Sequence, residues 1–151
     1  RRHGLGDWEL VETSEAGMLA QVARMVPRGE WIVFQGWQPH PMNVDYDIVY
    51  LSGGDIEFGP DFGGATVHTL ARPGFSADCP NAARLFANLA FSVDWENRGM
   101  ALVMGDGGAT PEEAARALLA EDPAPLDAWL DGVTTRDGQP GLPAVRAALG
   151  L

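Results

Sequence analysis

Lysine is absent from this chain: all ten basic residues are arginine. That removes Schiff-base chemistry and the phosphate-binding lysine of a P-loop. Positive charge of any kind is scarce, with 21 Asp and Glu against those ten arginines and a net charge of −11. No basic stripe is present to meet phosphates or anionic headgroups, so nucleic acid and membrane surfaces are not expected partners. Cys79 is the single cysteine, which excludes an internal disulfide and a multi-cysteine metal site. It is expected as a half-buried small side chain just before a helix. Catalytic signatures are missing too: there is no GxSxG elbow, HExxH, CxxC, P-loop, or GxGxxG after a strand. His3, His40 and His68 show none of the short spacings of zinc sites. Asp45-Tyr46-Asp47 lacks the glycine and terminal glutamate of a calcium loop and reads as a solvated turn. No apolar run approaches the roughly 20 residues needed to cross a bilayer as a helix. No catalytic residue, metal or cofactor is therefore assigned, and the chain is not expected to be an enzyme.

What is present is enough for a globular fold, since 46% of the 151 residues are hydrophobic and a chain of this size can bury a core. Met18, Leu19, Val22, Met25 and Val26 recur on one face of a predicted helix over 14–26, started by Ser14 or Thr13 and ended by Pro27 and Gly29. Trp31–Gly36 follows as a predicted buried strand, and the helix-then-strand order points to a layered α/β sheet with parallel pairing. Further strands are expected near 47–51 and 66–71, the latter carrying His68 as a hydrogen-bonded strand residue. Gly53-Gly54 and Gly63-Gly64 read as turns that need positive φ. The C-terminal third is predicted helical. Helices are expected over 81–89, with Leu85, Phe86 and Leu89 inward, over 94–104, from a capping box at Thr110-Pro111-Glu112-Glu113 through Ala120, around Leu126–Leu130, and over 142–149. A turn at Asp137-Gly138 separates the last two. The fold class is α/β.

Trp37 is the leading candidate for function. It sits at the exit of the Trp31–Gly36 run and opens the heptapeptide Trp37-Gln38-Pro39-His40-Pro41-Met42-Asn43. The two prolines fix φ and withhold backbone donors, so the strand cannot continue and the ring is held on a stiff segment. Indole is the best side-chain face for a quaternary ammonium, at about 0.5–2 kcal/mol per contact, and several rings around one cation form a cage. The ordinary alternative is a packed structural tryptophan. His40 and Asn43 are secondary candidates on the same loop: His40 is favoured as a loop-orienting residue, and Asn43 either closes an Asx turn or reaches the cleft.

From Gly6 onward the chain resembles the C-terminal half of the choline- and glycine-betaine-binding proteins of bacterial ABC importers. The matching stretches are Trp8-Glu9-Leu10-Val11-Glu12, Ser14–Val22, Trp31-Ile32-Val33-Phe34, Trp37–Asn43, Tyr50-Leu51-Ser52-Gly53-Gly54, Phe58–Thr69 and Gly132-Val133-Thr134-Thr135. The choline-binding branch looks closest, through Pro39-His40-Pro41-Met42-Asn43. The resemblance implies a partial type II periplasmic-binding-protein ("Venus flytrap") fold: residues 1–43 as the C-terminal part of the second lobe, 44–65 as the crossover and hinge, and 66–151 as the C-terminal part of the first lobe. It makes Trp37 one wall of an aromatic box for a small quaternary ammonium ligand, and implies ABC transporter membrane subunits as partners and a periplasmic or extracytoplasmic location. The N-terminal half, which in relatives supplies most of the box, is not in this sequence. The opening Arg1-Arg2-His3, with no initiator Met or signal-like stretch, likewise reads as a fragment. By the same resemblance, a partner for Cys79 would lie in that half.

The alternatives are a glycine betaine or proline betaine osmoprotectant receptor, a binding domain fused to its transporter, and a self-associating domain that binds nothing. The fragment itself is expected to expose apolar surface where the missing half would pack and to form a domain-swapped or self-associated dimer. A hydrolase with a dispersed site is the least favoured, for want of any nucleophile and base. Choline, betaine and carnitine are not distinguished at this level.

Overall fold

The structure, a computed structural model, describes residue 4, residues 6–105 and residues 108–151. His3 and the opening arginines lie outside the described residues. The backbone divides into two compact units, Arg1–Trp37 and Gln38–Leu151.

In the first unit, Ser14 accepts a hydrogen bond from the Gly17 amide and starts helix α1, Glu15–Met25. A 3₁₀ turn, Val26–Arg28, tightens its end, and Gly29 at φ 67° takes the left-handed position that closes it, where a Cβ would be strained. The expected apolar stripe is only partly covered. Val22 is fully buried, Met18, Leu19 and Met25 are half-buried, and Val26, where the 3₁₀ turn begins, is exposed.

The second unit begins with short turns. These are α2 (Met42–Asp45), α3 (Asp55–Phe58), the turn α4 (Pro60–Gly63) and α5 (Phe75–Asp78). Inside α4, Asp61 and Phe62 adopt left-handed φ of 53° and 58°, an uncommon state for side chains of that size. Gly53 and Gly63 have the positive φ expected of them, whereas Gly54 and Gly64 do not. Gly54 instead leads into α3, a helix turn that the sequence did not signal.

The C-terminal helices follow the sequence closely: α6 (Pro80–Asn88), α7 (Val93–Met104), α8 (Pro111–Glu121), α9 (Pro125–Trp129) and α10 (Gly141–Leu149). Thr110 and Glu113 form the full capping box of α8. Hydrogen bonds from the Thr110 backbone and then its hydroxyl hold the Glu113 carboxyl below the usual range. Leu126, Trp129, Leu130 and Val133 form the core, with Leu85, Leu89, Trp95, Leu119, Leu142, Val145 and Leu149 packed around it. Phe86 was expected to face inward; it is exposed and stacks on Phe75 of α5, 5.6 Å between centroids. Asparagines of α6 tie this core to the loop after α9. Asn81 exchanges two hydrogen bonds with the Thr134 backbone, at 2.7 and 2.8 Å, and Asn88 donates to the Trp129 and Asp131 carbonyls. Cys79 stands at the N-cap of α6, as expected from its position, but it is exposed rather than half-buried.

The expected strands are the main correction. Among the described residues no strand is formed, and the isolated antiparallel bridge is Thr134 with Pro140. Segments 31–36, 47–51 and 66–71 run outside any helix or ladder. Their apolar, β-favouring side chains stand in the open: Trp31 is 91%, Leu70 91% and Val67 97% exposed. Strand propensity expresses a fit to a pleated, half-buried surface, and these segments have no neighbouring strand to make one. His68 keeps a hydrogen bond, 3.0 Å between its Nε2 and Thr66 Oγ1, on an exposed segment instead of in a sheet.

Two substitutions test this account. Trp129→Ala should destabilise the C-terminal helices by about 3–5 kcal/mol, and Ser92→Ala, which removes the acceptor for the Trp95 amide at the start of α7, by about 1 kcal/mol. Both are read by thermal or urea denaturation followed by circular dichroism.

Candidate ligand-binding site

Trp37 closes the first unit, with 37% of its surface exposed. The peptide bond that follows the next residue, Gln38–Pro39, is cis. His40, Pro41 and Met42 are buried. Pro41 and Met42 begin the single turn α2, in which the Val44 and Asp45 amides bond the Pro41 carbonyl and the Tyr46 amide bonds that of Met42.

His40 is 4% exposed, and its Nδ1 accepts the Met42 amide at 3.1 Å. An accepting Nδ1 places the ring proton of a neutral imidazole on Nε2. The His40 amide donates to Asn97 Oδ1 at 2.8 Å. Asn43 donates through Nδ2 to the His40 carbonyl at 2.9 Å and reaches Asn97 Oδ1 at 3.4 Å, while its Oδ1 accepts from the Tyr50 hydroxyl at 3.0 Å. Tyr50 meets Phe62 edge to face, 6.0 Å between centroids. The two secondary candidates are thus brought together in one polar network. Two of its members, Tyr50 and Asn97, were not singled out from the sequence. Tyr50 lies in a matched stretch and was available; Asn97, 54 residues beyond Asn43, carries no local signal.

A second aromatic cluster is present in the second unit. Phe91, Trp95 and Trp129 lie with centroids 5.1, 5.3 and 5.9 Å apart. A cation must approach within about 6 Å of each ring face, and rings already touching one another leave no room between them. Trp129 belongs to the buried cluster and donates its indole N–H to the Ala90 carbonyl at 2.9 Å, Trp95 packs against that cluster, and Phe91 flanks them, 47% exposed. A groove of about 410 Å³ between α6 and α10 is lined by Ala82, Leu85, Val133, Ala144, Val145 and neighbours. Its lining includes neither an aromatic ring nor a carboxylate, so it has nothing to attract a cation. Among the described residues no group of histidine, cysteine, aspartate or glutamate is arranged to hold a metal ion, and no helix is long and apolar enough to cross a membrane.

Residues 2–121 match the family described as the substrate-binding domain of ABC-type glycine betaine transport systems. The chain belongs to that family, which is one of transporter binding proteins. It is 28% identical over 132 residues to the glycine betaine/carnitine transport binding protein GbuC of Listeria monocytogenes serotype 1/2a (strain 10403S), an alignment covering 87% of this chain and 42% of that protein. Among solved structures it resembles an ABC-transporter choline binding protein in complex with choline, at 53% identity and a TM-score of 0.69, covering 97% of this chain and 50% of the other. A choline binding protein in an unliganded semi-closed conformation is similar at 54% identity and a TM-score of 0.65, over 97% and 51% of the two chains. The chain spans about half the length of these relatives. Its fold is a partial type II periplasmic-binding-protein fold, as the resemblance implied, with the helical portion formed and the strands unpaired.

Burial raises the Tyr50 phenol above the usual tyrosine value. A folded-state pKa above the unfolded one means that the folded chain holds this proton more tightly. The associated stability is complete below about pH 10 and is lost as pH rises through the raised value. Alkaline denaturation monitored by tyrosinate absorbance should show this component in the native chain, and Tyr50→Phe should abolish it. Loss of the hydroxyl should also cost about 0.5–1.5 kcal/mol at neutral pH.

Proposed function

We propose that the protein containing this chain is the extracytoplasmic solute-binding component of an ABC importer, and that it binds choline or a closely related trimethylammonium compound and delivers it to the membrane subunits. The observation that carries the choice of choline is the 53% identity to a choline binding protein over 97% of the chain, against 28% to a glycine betaine/carnitine binding protein. Glycine betaine is the second reading, favoured by the description of the matched family. The function is capture and release, with no chemical step.

Trp37 supplies one wall of an aromatic box. A quaternary ammonium has no N–H to donate, so its recognition rests on aromatic faces and shape, with polar groups reading the other end of the ligand. The partly exposed ring of Trp37 suits that task, and the buried imidazole of His40 suits a loop-orienting role. Asn43 supports the loop through the same network. The remaining walls come from the half of the receptor fold that this sequence does not include. Residues 1–43 act as part of one lobe, 44–65 as the crossover, and 66–151 as part of the other.

Calorimetric titration of the full-length receptor with choline, glycine betaine, carnitine and proline tests the assignment. Choline should bind with a dissociation constant in the micromolar range, and the absence of any binding below millimolar would end the proposal. Trp37→Ala should weaken choline at least tenfold, equivalent to about 1.4 kcal/mol, with the fold intact by circular dichroism. The isolated 151-residue chain should bind choline weakly or not at all. It should also self-associate through the exposed 31–36 and 66–71 segments, by exchanging the segment before Asn43 between two copies or by simple association. Light scattering on a dilution series checks this, and a strict monomer at high concentration contradicts it.

A further inference from the structure

We infer that Asn97 is a positioning residue for the ligand site: its carboxamide oxygen ties both ends of the His40–Asn43 turn to α7 and so holds the backbone that follows Trp37. The inference rests on the reading of Trp37 as a wall of the box. A four-residue helix such as α2 does not sustain itself, because nucleating a turn costs more than its few hydrogen bonds return. Pro39 and Pro41 add no backbone donors. The turn must therefore be held by tertiary contacts.

Asn97 supplies one where it matters. The His40 amide precedes α2 and is buried, so it needs an acceptor that the turn does not provide. Asn97 Oδ1 meets it at 2.8 Å from 57 residues away. The same oxygen lies 3.4 Å from Asn43 Nδ2, whose stronger bond, at 2.9 Å, returns to the His40 carbonyl. The three residues close a small ring of hydrogen bonds across the two segments. Asn97 is only 7% exposed, and it stands on a firm support: α7 is capped by Ser92, and Trp95, two residues earlier, is packed against Phe91 and Trp129. The tie thus connects the aromatic core to the segment that leads back to Trp37. In these bonds Asn97 uses its oxygen alone, which separates the role of that acceptor from the role of side-chain volume.

The test compares wild type, Asn97→Leu, Asn97→Ala, Asn97→Asp and Trp37→Ala in the full-length receptor. Choline affinity is measured by calorimetry, and exchange of the His40 amide by hydrogen–deuterium exchange without ligand. Asn97→Leu and Asn97→Ala should weaken choline at least fivefold and speed His40 amide exchange at least tenfold, while Asn97→Asp, which keeps the acceptor, stays within threefold of wild type in both. Wild-type affinity in a folded Leu or Ala variant overturns the inference, as does an Asp variant that loses as much as Leu. Should wild type fail to bind choline, or Trp37→Ala bind it unchanged, the reading of Trp37 fails instead. The amide exchange then still reports on the tie, and unaltered His40 protection in Asn97→Leu would refute that part on its own.

Discussion

A helix closes its own backbone hydrogen bonds within a few residues, whereas an apolar segment with strand character is satisfied only when another segment lies beside it. That asymmetry governs this chain. From Pro80 onward the backbone is mostly helical, and three of its helices have local means of starting or stopping: Ser92 for α7, the Thr110–Glu113 box for α8, and Gly150 at φ 77° after α10. The core formed by Leu126, Trp129, Leu130 and Val133 needs nothing from outside the C-terminal third except the flanking helices. Segments 31–36, 47–51 and 66–71 have the opposite requirement and stay unpaired. Their Trp31, Val49, Val67 and Leu70 are each left exposed.

The loop that carries the candidate site lies between these regimes. It has too few bonds of its own to be a stable helix and too many prolines to be a strand, so its conformation is set by side chains reaching in from elsewhere. Asn97 and Tyr50 do this with hydrogen bonds to His40 and Asn43, and Asn43 bonds back to His40 within the loop.

Legibility from the sequence followed the range of the interactions involved. The cap at Ser14, the box at Thr110, the stop at Gly29 and the turn at Gly138 are all encoded within a few residues and were readable. The short turns α2 and α3 were not foreseen, because one helical turn leaves no periodicity to detect. Helical phase alone points Phe86 inward; its partner Phe75 belongs to a separate short turn. The expected strands differ for another reason: alternation and branching report what a segment would do in a sheet and not whether the sheet is there. In the candidate site, the loop of Trp37, His40 and Asn43 could be read from its prolines and its resemblance. Asn97 could not, because a contact across 57 residues leaves no mark on a single sequence.

One ring contributes about 0.5–2 kcal/mol toward a quaternary ammonium, while micromolar affinity requires about 8 kcal/mol. A single wall therefore cannot account for a receptor, and affinity has to be a property of several faces brought around one cation. Each face adds its share only if it is held in place before the ligand arrives, since ordering a loop on binding subtracts from the gain. On that argument the value of Trp37 depends as much on the stiffness of residues 38–43 as on the indole itself. The pair of prolines limits the conformations available to those residues, and the hydrogen bonds to Asn97 select among them. On the proposed reading of Trp37, the cluster of Phe91, Trp95 and Trp129 would bear on binding without touching a ligand, as the support beneath the segment of α7 that carries Asn97.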